Sequence, residues 1–183
     1  ARQSYLLALR LAQQSRTNRK WAVQILTKIA DIDMQRLDWR QALRIFEQLR
    51  SLQPEDKASR VQLIDINMRL GQLPAALKEI DDFVKILEEG QKTKEVVQFL
   101  NELLKEHPEH IHVRKRLMDA FIRYGHTSKA IQQMDKMADQ LLDSGDRRSA
   151  VEMVEAIIAM NPPNSNQYRQ LLQQIKSEGK GQT

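Results

Sequence analysis

The sequence predicts an all-α protein in which a unit of three helices is repeated along the chain. Three observations lead to this prediction. The chain matches itself under a 54-residue shift, the interval from Pro54 to Pro108. Apolar residues recur at helical spacing in successive segments, and the 6 glycines and 5 prolines punctuate those segments rather than interrupt them. Aromatic residues make up only 5%, so the core must be built from Leu, Ile, Val, Met and Ala.

This shift superimposes similar residues without a gap. It carries Pro54 to Pro108 and Pro162, Gly71 to Gly125, Ala22 to Ala76 and Ala130, Ala42 to Val96 and Ala150, Phe46 to Leu100 and Val154, and Leu49 to Leu103 and Ile157. A constant period of this size is typical of stacked helical repeats. We therefore expect units at residues 1–53, 54–107 and 108–161 within a single helical-repeat domain that spans residues 1–177.

The first unit predicts three helices, at about residues 4–15, 18–36 and 38–52. Thr17 or Asn18 is the expected N-cap of the second helix, and Asp38 that of the third. Pro54 ends the third helix because proline lacks an N–H and clashes with the preceding turn. The apolar stripe expected on the first helix is Tyr5, Leu6, Leu9 and Ala12, and that on the second is Trp21, Ala22, Ile25, Leu26, Ile29, Ala30 and Ile32.

The second unit repeats this order, with helices expected at about residues 57–70, 74–89 and 93–107. Gly71 is the expected left-handed C-cap of the first of these helices. Pro74 suits the first turn of the next helix, and Thr93 is the expected cap of the third. The positions of Gly, Pro and capping residues therefore predict the same helix–turn pattern as in the first unit.

The third unit predicts helices at about residues 112–124, 128–142 and 148–160, which Pro162 brings to an end. Asn164 or Ser165 begins a further helix at 165–177, in register with the first helix of a fourth unit. This helix is rich in Gln, which suits the polar terminal cap of a repeat array. We expect residues 178–183 to form a flexible tail. The sequence thus predicts ten helices and no strand.

The composition excludes several classes of protein. The absence of cysteine excludes disulfides, zinc–thiolate sites and thiol catalysis. No apolar run approaches the roughly 18–20 residues that a membrane span needs. The sequence carries no signal peptide and begins with Ala1 rather than Met, so we expect it to be a fragment of a longer protein. The absence of cysteine fits a cytosolic or a bacterial origin, and we expect a bacterial, cytoplasmic protein.

The net charge of +5 is unevenly distributed along the chain. Residues 1–53 hold 10 Lys and Arg against 4 Asp and Glu, which gives +6, whereas residues 54–107 hold 8 against 11, which gives −3. A basic surface attracts nucleic acid, acidic proteins or anionic lipid. The simpler interpretation is a solvated polar face. Aromatic residues that could stack on bases are not interleaved with the arginines, which argues against single-stranded nucleic acid.

Residues 37–49 and the proline that follows them resemble the second helix of a tetratricopeptide repeat. Ala42, Phe46, Leu49 and Pro54 occupy the positions of that motif's characteristic residues. The motif recurs at Gly71, Leu73, Ala76, Ile80 and Phe83, and again over residues 125–137.

The spacing of the motif departs from a regular tetratricopeptide array. The interval from Ala42 to Ala76 equals the repeat length of the family. The next interval, from Ala76 to Val96, is much shorter, and the one from Val96 to Ala130 again has the family's length. Every third helix is therefore added to the two-helix repeat. The first-helix positions also depart from the family; they hold Ile29, Ala30 and Asp33 where Trp, Gly and Tyr are usual.

The resemblance implies a scaffold that binds a peptide or a protein on a groove lined by the first helix of each pair. The groove candidates on these helices are Gln62, Asp65, Arg69, His112, Arg116, Asp119 and Arg123. Two of the candidate pairs, Asp65 with Arg69 and Asp119 with Arg123, are spaced i,i+4. Such pairs are also what an ordinary helix surface carries, where each contributes a few tenths of a kcal/mol.

No catalytic residues, metal ligands or cofactor site are predicted. The sequence contains no phosphate-binding loop, no nucleophile elbow and no His-Glu pair at metalloprotease spacing. His107, His110 and His112 cluster around Pro108, and a metal site there is a minor alternative to a polar turn. The methionines from Met118 to Met160 fall on apolar stripes and are interpreted as core residues.

Three functions are compatible with the sequence. The first is a non-catalytic scaffold for a protein or peptide partner of unknown identity. The second is binding of nucleic acid or of an acidic partner through the basic first unit. The third is a structural spacer or a domain that self-associates into a homo-oligomer.

Overall fold

A computed structural model describes residues 2–14 and 19–178 of the chain. Ten helices and no strand occur in these residues. The helices are α1 (Arg2–Gln14), α2 (Arg19–Gln35), α3 (Trp39–Leu52), α4 (Lys57–Arg69), α5 (Leu73–Glu89), α6 (Thr93–Glu106), α7 (Ile111–Arg123), α8 (Thr127–Asp143), α9 (Arg147–Ala159) and α10 (Ser165–Glu178). The predicted all-α helical repeat is therefore confirmed.

The helix bounds repeat with the period found in the sequence. Helices α2, α5 and α8 have 17 residues each and begin at Arg19, Leu73 and Thr127. Helices α3, α6 and α9 begin at residues 39, 93 and 147, and α4, α7 and α10 at residues 57, 111 and 165. The same 54-residue shift thus relates both the sequence and the helices.

Most predicted helix ends agree with the structure to within about two residues. Asp38 caps α3 by accepting a hydrogen bond from the backbone N–H of Gln41, and Pro74 lies in the first turn of α5. Thr93 is the first residue of α6 rather than its cap. The caps expected at Thr17 and Asn18, and the tail from Gly179 onward, lie outside the described residues.

The turns after five helices share one backbone conformation. Residues 37, 71, 91, 125 and 145, which follow α2, α4, α5, α7 and α8, have φ between 57° and 82°. At each turn the N–H of the next residue donates to the carbonyl five residues earlier, as from Asp38 to Asp33 at 2.9 Å and from Lys92 to Leu87 at 2.8 Å. This is the Schellman C-cap, and it sets the chain direction for the following helix.

The chain forms two compact units, residues 1–92 and 93–183. Unit 1 contains α1 to α5 and unit 2 contains α6 to α10. The single domain over 1–177 and its division into 54-residue repeat units stay predictions.

Each unit has an apolar core built from the predicted helix stripes. In unit 1, Leu26, Ile29, Ala30 and Ala42 are at most 1% exposed. In unit 2, Val154 and Ile157 are fully buried in the core of α8, α9 and α10. The alanines that recur under the 54-residue shift are also buried; these are Ala22, Ala42, Ala76, Ala130 and Ala150.

The expected placement of Trp21 in the α2 stripe is wrong. Its side chain is 60% exposed, whereas Ala22 beside it is buried. The positions that correspond to Trp21 under the 54-residue shift, Ala75 and Lys129, are also exposed. This side of the helix therefore faces away from the core in every copy, and α2 carries an aromatic residue on it.

Among residues 2–14 and 19–178, no helix combines the length and the apolar character that crossing a membrane requires.

Candidate protein-binding site

The predicted groove residues of unit 1 lie together on α4. Arg69 Nε donates to Asp65 Oδ2 at 2.6 Å, and this hydrogen bond raises the pKa of Arg69. The Arg69 guanidinium lies 5.1 Å from the ring centroid of Trp39 on α3, a distance suited to a cation–π contact. Gln62 is half-buried one turn before Asp65. The ion pair expected in unit 1 is therefore formed, and an aromatic ring supports it.

The predicted groove residues of unit 2 lie on α7 and make different contacts. Arg116 Nη1 donates to the backbone carbonyl of His112 at 3.1 Å. Arg123, which corresponds to Arg69, places its guanidinium 5.7 Å from the ring centroid of Tyr124. His112 and Asp119 are exposed. Each set thus occupies one face of one helix within its own unit, and a groove formed by them stays a prediction.

A buried ion cluster in unit 1 was not predicted. Arg60 and Glu79 are 4% and 7% exposed, and Arg60 Nη1 lies 2.8 Å from Glu79 Oε2. Arg50 pairs with the other carboxylate oxygen of Glu79. Arg60 also donates to the carbonyl of Pro54 through Nε and Nη2, at 3.2 and 3.1 Å. The cluster ties the α3–α4 turn to α5, and burial lowers the pKa of Arg60.

Unit 2 contains the same arginine with a neutral partner. Arg114, which corresponds to Arg60, is 7% exposed and donates to the carbonyl of Pro108 at 2.5 Å. Its Nη1 donates to Gln133 Oε1 at 3.1 Å, at the position where unit 1 has Glu79. Burial lowers the pKa of Arg114. The sequence signal was available, because an arginine follows each of the first two repeat prolines by six residues, but its role depends on contacts between helices.

A second ionic contact in unit 1 spans three helices. Arg2 on α1 donates to both carboxylate oxygens of Asp33 on α2, at 2.6 and 3.0 Å. The same guanidinium donates to Gln41 Oε1 on α3 at 3.3 Å. Asp33 is 1% exposed. Because α1 and α3 both pack on α2, the Arg2 side chain crosses above α2 and bridges the two outer helices.

The corresponding place in unit 2 is an open pocket. Helices α7 and α9 both pack on α8, and a cavity of about 380 Å³ lies above α8 between them. Under twice the 54-residue shift, Asp33 corresponds to Leu141 and Gln41 to Ser149, and both of these residues line the cavity. The ionic bridge of unit 1 is therefore replaced in unit 2 by a hollow with an apolar floor.

Methionine side chains dominate the floor and walls of this pocket, which we call the methionine pocket. Its lining residues are Ile111, Lys115, Met118, Met134, Met137, Leu141, Asp146, Ser149, Glu152, Met153 and Ala156. Met134 and Met137 on α8 are 4% and 1% exposed, as their interpretation as core residues requires. Met118 and Met153 are only half-buried and form opposite walls. Thioether side chains are flexible and polarizable, so they adapt to apolar groups of different shape.

Charged residues of opposite sign stand on the two rims of the methionine pocket. Lys115 is exposed on α7, and Glu152 is exposed on α9. Asp146 caps α9 by accepting from the backbone N–H of Ser149 at 3.1 Å, and hydrogen bonds from Ser149 lower the pKa of Asp146. The groove candidates His112, Arg116 and Asp119 do not line this pocket, since they lie one residue further along α7 than Ile111, Lys115 and Met118.

Unit 1 also has a larger and shallower hollow at the start of α2. Its volume is about 860 Å³, and Arg19, Lys20, Glu55 and Asp56 are among its lining residues. Arg19 donates to the carbonyl of Leu52 across it. Because Glu55 and Asp56 line this hollow together with the two cations, it does not present the purely basic surface that a nucleic-acid backbone needs.

The histidine cluster lies at the turn before α7. His110 is the N-cap residue of α7, and its ring centroid is 6.0 Å from that of His112. Burial lowers the pKa of His110, and the nearby His112 and His107 lower it further. In the part of the chain that the structure describes, no group of three or more His, Asp or Glu side chains is arranged to hold a metal ion.

Comparison with known sequences supports a tetratricopeptide-like repeat. Residues 27–89, about a third of the chain, match the sequence model of the tetratricopeptide repeat family. No curated protein matches the chain significantly. The resemblance read from the motif residues is thereby confirmed for this segment, which extends from α2 to α5. Tetratricopeptide repeats generally mediate protein–protein interactions and are generally non-catalytic.

A search of solved structures returns several matches of low sequence identity. BtubC (BKLC) from P. vanneervenii is 17% identical to this chain. The match covers 87% of this chain and 70% of BtubC, with a TM-score of 0.44. A protein of Podosopora anserina, described as a kinesin light chain with nearly identical TPR-like repeats, is 15% identical over 98% of this chain and 84% of its own, with a TM-score of 0.41. YrrB, described as a TPR protein with an unusual peptide-binding site, is 10% identical to this chain. The match covers 89% of this chain and 95% of YrrB, with a TM-score of 0.36.

Proposed function

We propose that this chain, a tetratricopeptide-like helical repeat protein, is a non-catalytic scaffold that binds a protein or peptide partner. The observation that carries the proposal is the methionine pocket, an open apolar hollow on the surface of unit 2. Exposed concave apolar sites are characteristic of binding surfaces. The groove candidates on α4 and α7 extend the proposed surface within their own units.

The arrangement of charged residues also favours binding over chemistry. Arg60 is engaged by Glu79 and the Pro54 carbonyl, and Asp33 is engaged by Arg2. These contacts connect helices of unit 1, and Arg60, Glu79 and Asp33 are buried. A reacting group must instead reach its substrate with a pKa suited to proton transfer or nucleophilic attack.

Selection from a random peptide library tests the proposal. Immobilised residues 1–183 should enrich a family of related peptides, and a synthetic enriched peptide should bind in solution with one saturable isotherm. The control is selection against the heat-denatured chain, which removes peptides that bind any exposed apolar segment. Failure to enrich any peptide over that control would contradict the proposal.

Binding of nucleic acid or an acidic partner through the basic first unit is the alternative. It predicts retention on heparin, with an affinity that falls steeply as salt concentration rises. The mixed charges around the hollow at Arg19 and Asp56 count against it. Self-association is the third alternative, and sedimentation at two protein concentrations separates it from a monomeric scaffold.

A further inference from the structure

We propose that the methionine pocket accepts two apolar side chains from one face of an amphipathic helix supplied by the partner. This inference rests on the proposed scaffold function and specifies the partner's chemistry. It depends on the shape of the pocket, on the nature of its floor, on the bridge found in unit 1 and on the charges at the rims.

The size of the pocket suits more than one side chain. A cavity of about 150 Å³ in a protein core already holds a benzene ring. The methionine pocket encloses about 380 Å³ and is open to the surface. Two aliphatic side chains spaced i,i+4 on a helix point in the same direction and lie close enough to enter one such pocket together.

The floor of the pocket favours a helix over an extended peptide. Met134, Met137 and Leu141 present thioether and aliphatic groups there, and the backbone of α8 is occupied by its own helical hydrogen bonds. An extended peptide on this floor would leave its backbone N–H and C=O groups without partners, which is costly away from water. A helix satisfies these groups internally and needs to bring only its side chains.

Unit 1 shows how a side chain occupies the corresponding place. Arg2 enters between α1 and α3, and its guanidinium meets Asp33 and Gln41. In unit 2 these two positions are Leu141 and Ser149, so the carboxylate that holds the guanidinium has been replaced by an aliphatic side chain. The methionine pocket of unit 2 therefore suits an apolar side chain, whereas the corresponding place in unit 1 holds the guanidinium of Arg2.

The rims define the charges that should flank the apolar stripe of the partner helix. An acidic residue on one flank would face Lys115, and a basic residue on the other flank would face Glu152. Glu152 lies 3.4 Å from Arg148 in an exposed pair, which a partner's cation can displace at little cost. Both rim residues are exposed, so they select the flanking charges while the apolar floor supplies most of the affinity.

The experiment uses three synthetic helical peptides of equal length and the methyl resonances of the chain's methionines. The first peptide, the mixed peptide, has a leucine stripe with glutamates along one flank and lysines along the other. The second replaces each leucine with serine, and the third keeps the leucines with lysines on both flanks. The chain contains 7 methionines. Of these, Met118, Met134, Met137 and Met153 line the pocket, whereas Met34, Met68 and Met160 do not.

Two matched substitutions on α9 test whether the pocket is the site. Ala156→Phe places a ring at the pocket mouth, whereas Ala159→Phe places the same ring on an exposed position of α9 that does not line the pocket. Both alanines are exposed, so neither change overpacks the core. Native helix content and a cooperative unfolding transition of the Met137 methyl resonance, which reports on unit 2, confirm folding. Lys115→Glu reverses one rim charge, and Lys136→Glu is its control on α8.

The mixed peptide should shift the Met118 and Met153 resonances saturably, and the serine peptide should not. Ala156→Phe should weaken binding of the mixed peptide by about tenfold or more, because a leucine no longer enters the pocket. Ala159→Phe should leave binding unchanged. Lys115→Glu should raise the affinity for the third peptide, which has lysines on both flanks, by about threefold, the scale of one exposed charge pair.

The inference is overturned if the mixed peptide leaves Met118 and Met153 unshifted, or if Ala156→Phe and Ala159→Phe have equal effects. The scaffold function would survive that result if a library-selected peptide still bound elsewhere on the chain. If selection enriches no peptide, both the scaffold function and the proposed binding of an amphipathic helix fail.

Discussion

Units 1 and 2 place corresponding helices at the same sequence interval, yet they fill two corresponding positions with different chemistry. In unit 1, Arg60 is paired with Glu79, and Arg2 crosses α2 to reach Asp33. In unit 2, Arg114 has neutral Gln133 as its partner, and the place above α8 is open. The repeated backbone therefore needs the turn and the apolar stripes, but not the ionic contacts.

The same difference explains why an open pocket occurs in unit 2. Three helices in which the outer two pack on the middle one leave a gap above the middle helix. Unit 1 closes its first gap with the Arg2 side chain, whereas in unit 2 the gap between α7 and α9 stays open.

The largest expected effect is that of Glu79→Gln, which gives unit 1 the neutral partner found in unit 2. Arg60 is 4% exposed, so the change leaves a buried guanidinium without its countercharge. We expect the free energy of unfolding of unit 1 to fall by about 3 kcal/mol. Denaturant unfolding followed by tryptophan fluorescence measures this, because Trp21 and Trp39 both lie in unit 1. Glu47→Gln on the exposed side of α3 is the control, and a loss below about 1 kcal/mol would contradict the role assigned to Glu79.

The reverse change, Gln133→Glu, should stabilise unit 2 by about 1 kcal/mol. It gives Arg114 a carboxylate partner, and a charged hydrogen bond contributes more than a neutral one. The gain is smaller than the loss in unit 1 because the new carboxylate must itself be desolvated. Unfolding followed through the Met137 methyl resonance measures the effect. Destabilisation by Gln133→Glu would mean that unit 2 is built around the neutral pair.

Substitutions in the Schellman turns compare glycine with non-glycine residues, and each should change the stability by about as much as Gln133→Glu. Leu37 has φ of 57° and is 65% exposed, so Leu37→Gly should stabilise unit 1 by about 0.5–1 kcal/mol. Gly125 has φ of 75°, and an added Cβ would meet nothing within 4 Å, so Gly125→Ala should cost about 1 kcal/mol through the backbone alone. Thermal unfolding of each variant and of the unaltered chain measures the two changes in stability. Melting temperatures equal to that of the unaltered chain would show that the turns are not strained.

The smallest expected effect is a loss of stability of unit 2 in mild acid. Burial and the neighbouring His112, His107 and Arg116 lower the pKa of His110, and Glu109 opposes them only in part. Below the ordinary value of about 6.5 the unfolded chain binds a proton that the folded chain does not. The contribution of His110 is therefore complete above about pH 6.5 and is lost as the pH falls through the lowered pKa. Unfolding at pH 7.5 and 5.5 should show this slope, and His110→Gln should reduce it.

Much of the fold could be predicted because the helix ends depend on local signals. Proline at 54, 108 and 162, glycine at 71 and 125, and Asp38 all act on their own turns, so their effects are visible in the sequence. The turns at Leu37 and Gln91 were not recognised as left-handed, since neither residue is a glycine. Trp21 was misplaced because its hydrophobic character suggested burial on a side of α2 that faces away from the core.

The candidate site was harder to predict because it depends on which helices lie beside each other. The bridge between Arg2 and Asp33 joins residues 31 apart in sequence, and no local pattern indicates it. The methionines were interpreted as core residues, which is correct for Met134 and Met137. An apolar stripe shows which side of a helix avoids water, but it does not show whether a neighbouring helix covers that side completely.

The ten helices of residues 2–14 and 19–178, their 54-residue recurrence and most of their turns are visible in the sequence, because each depends on residues close together in the chain. That Arg2 closes the gap above α2 while the gap above α8 stays open is visible only in the folded chain. Packing depends on volumes and charges from three helices at once, and those meet only when the chain has folded.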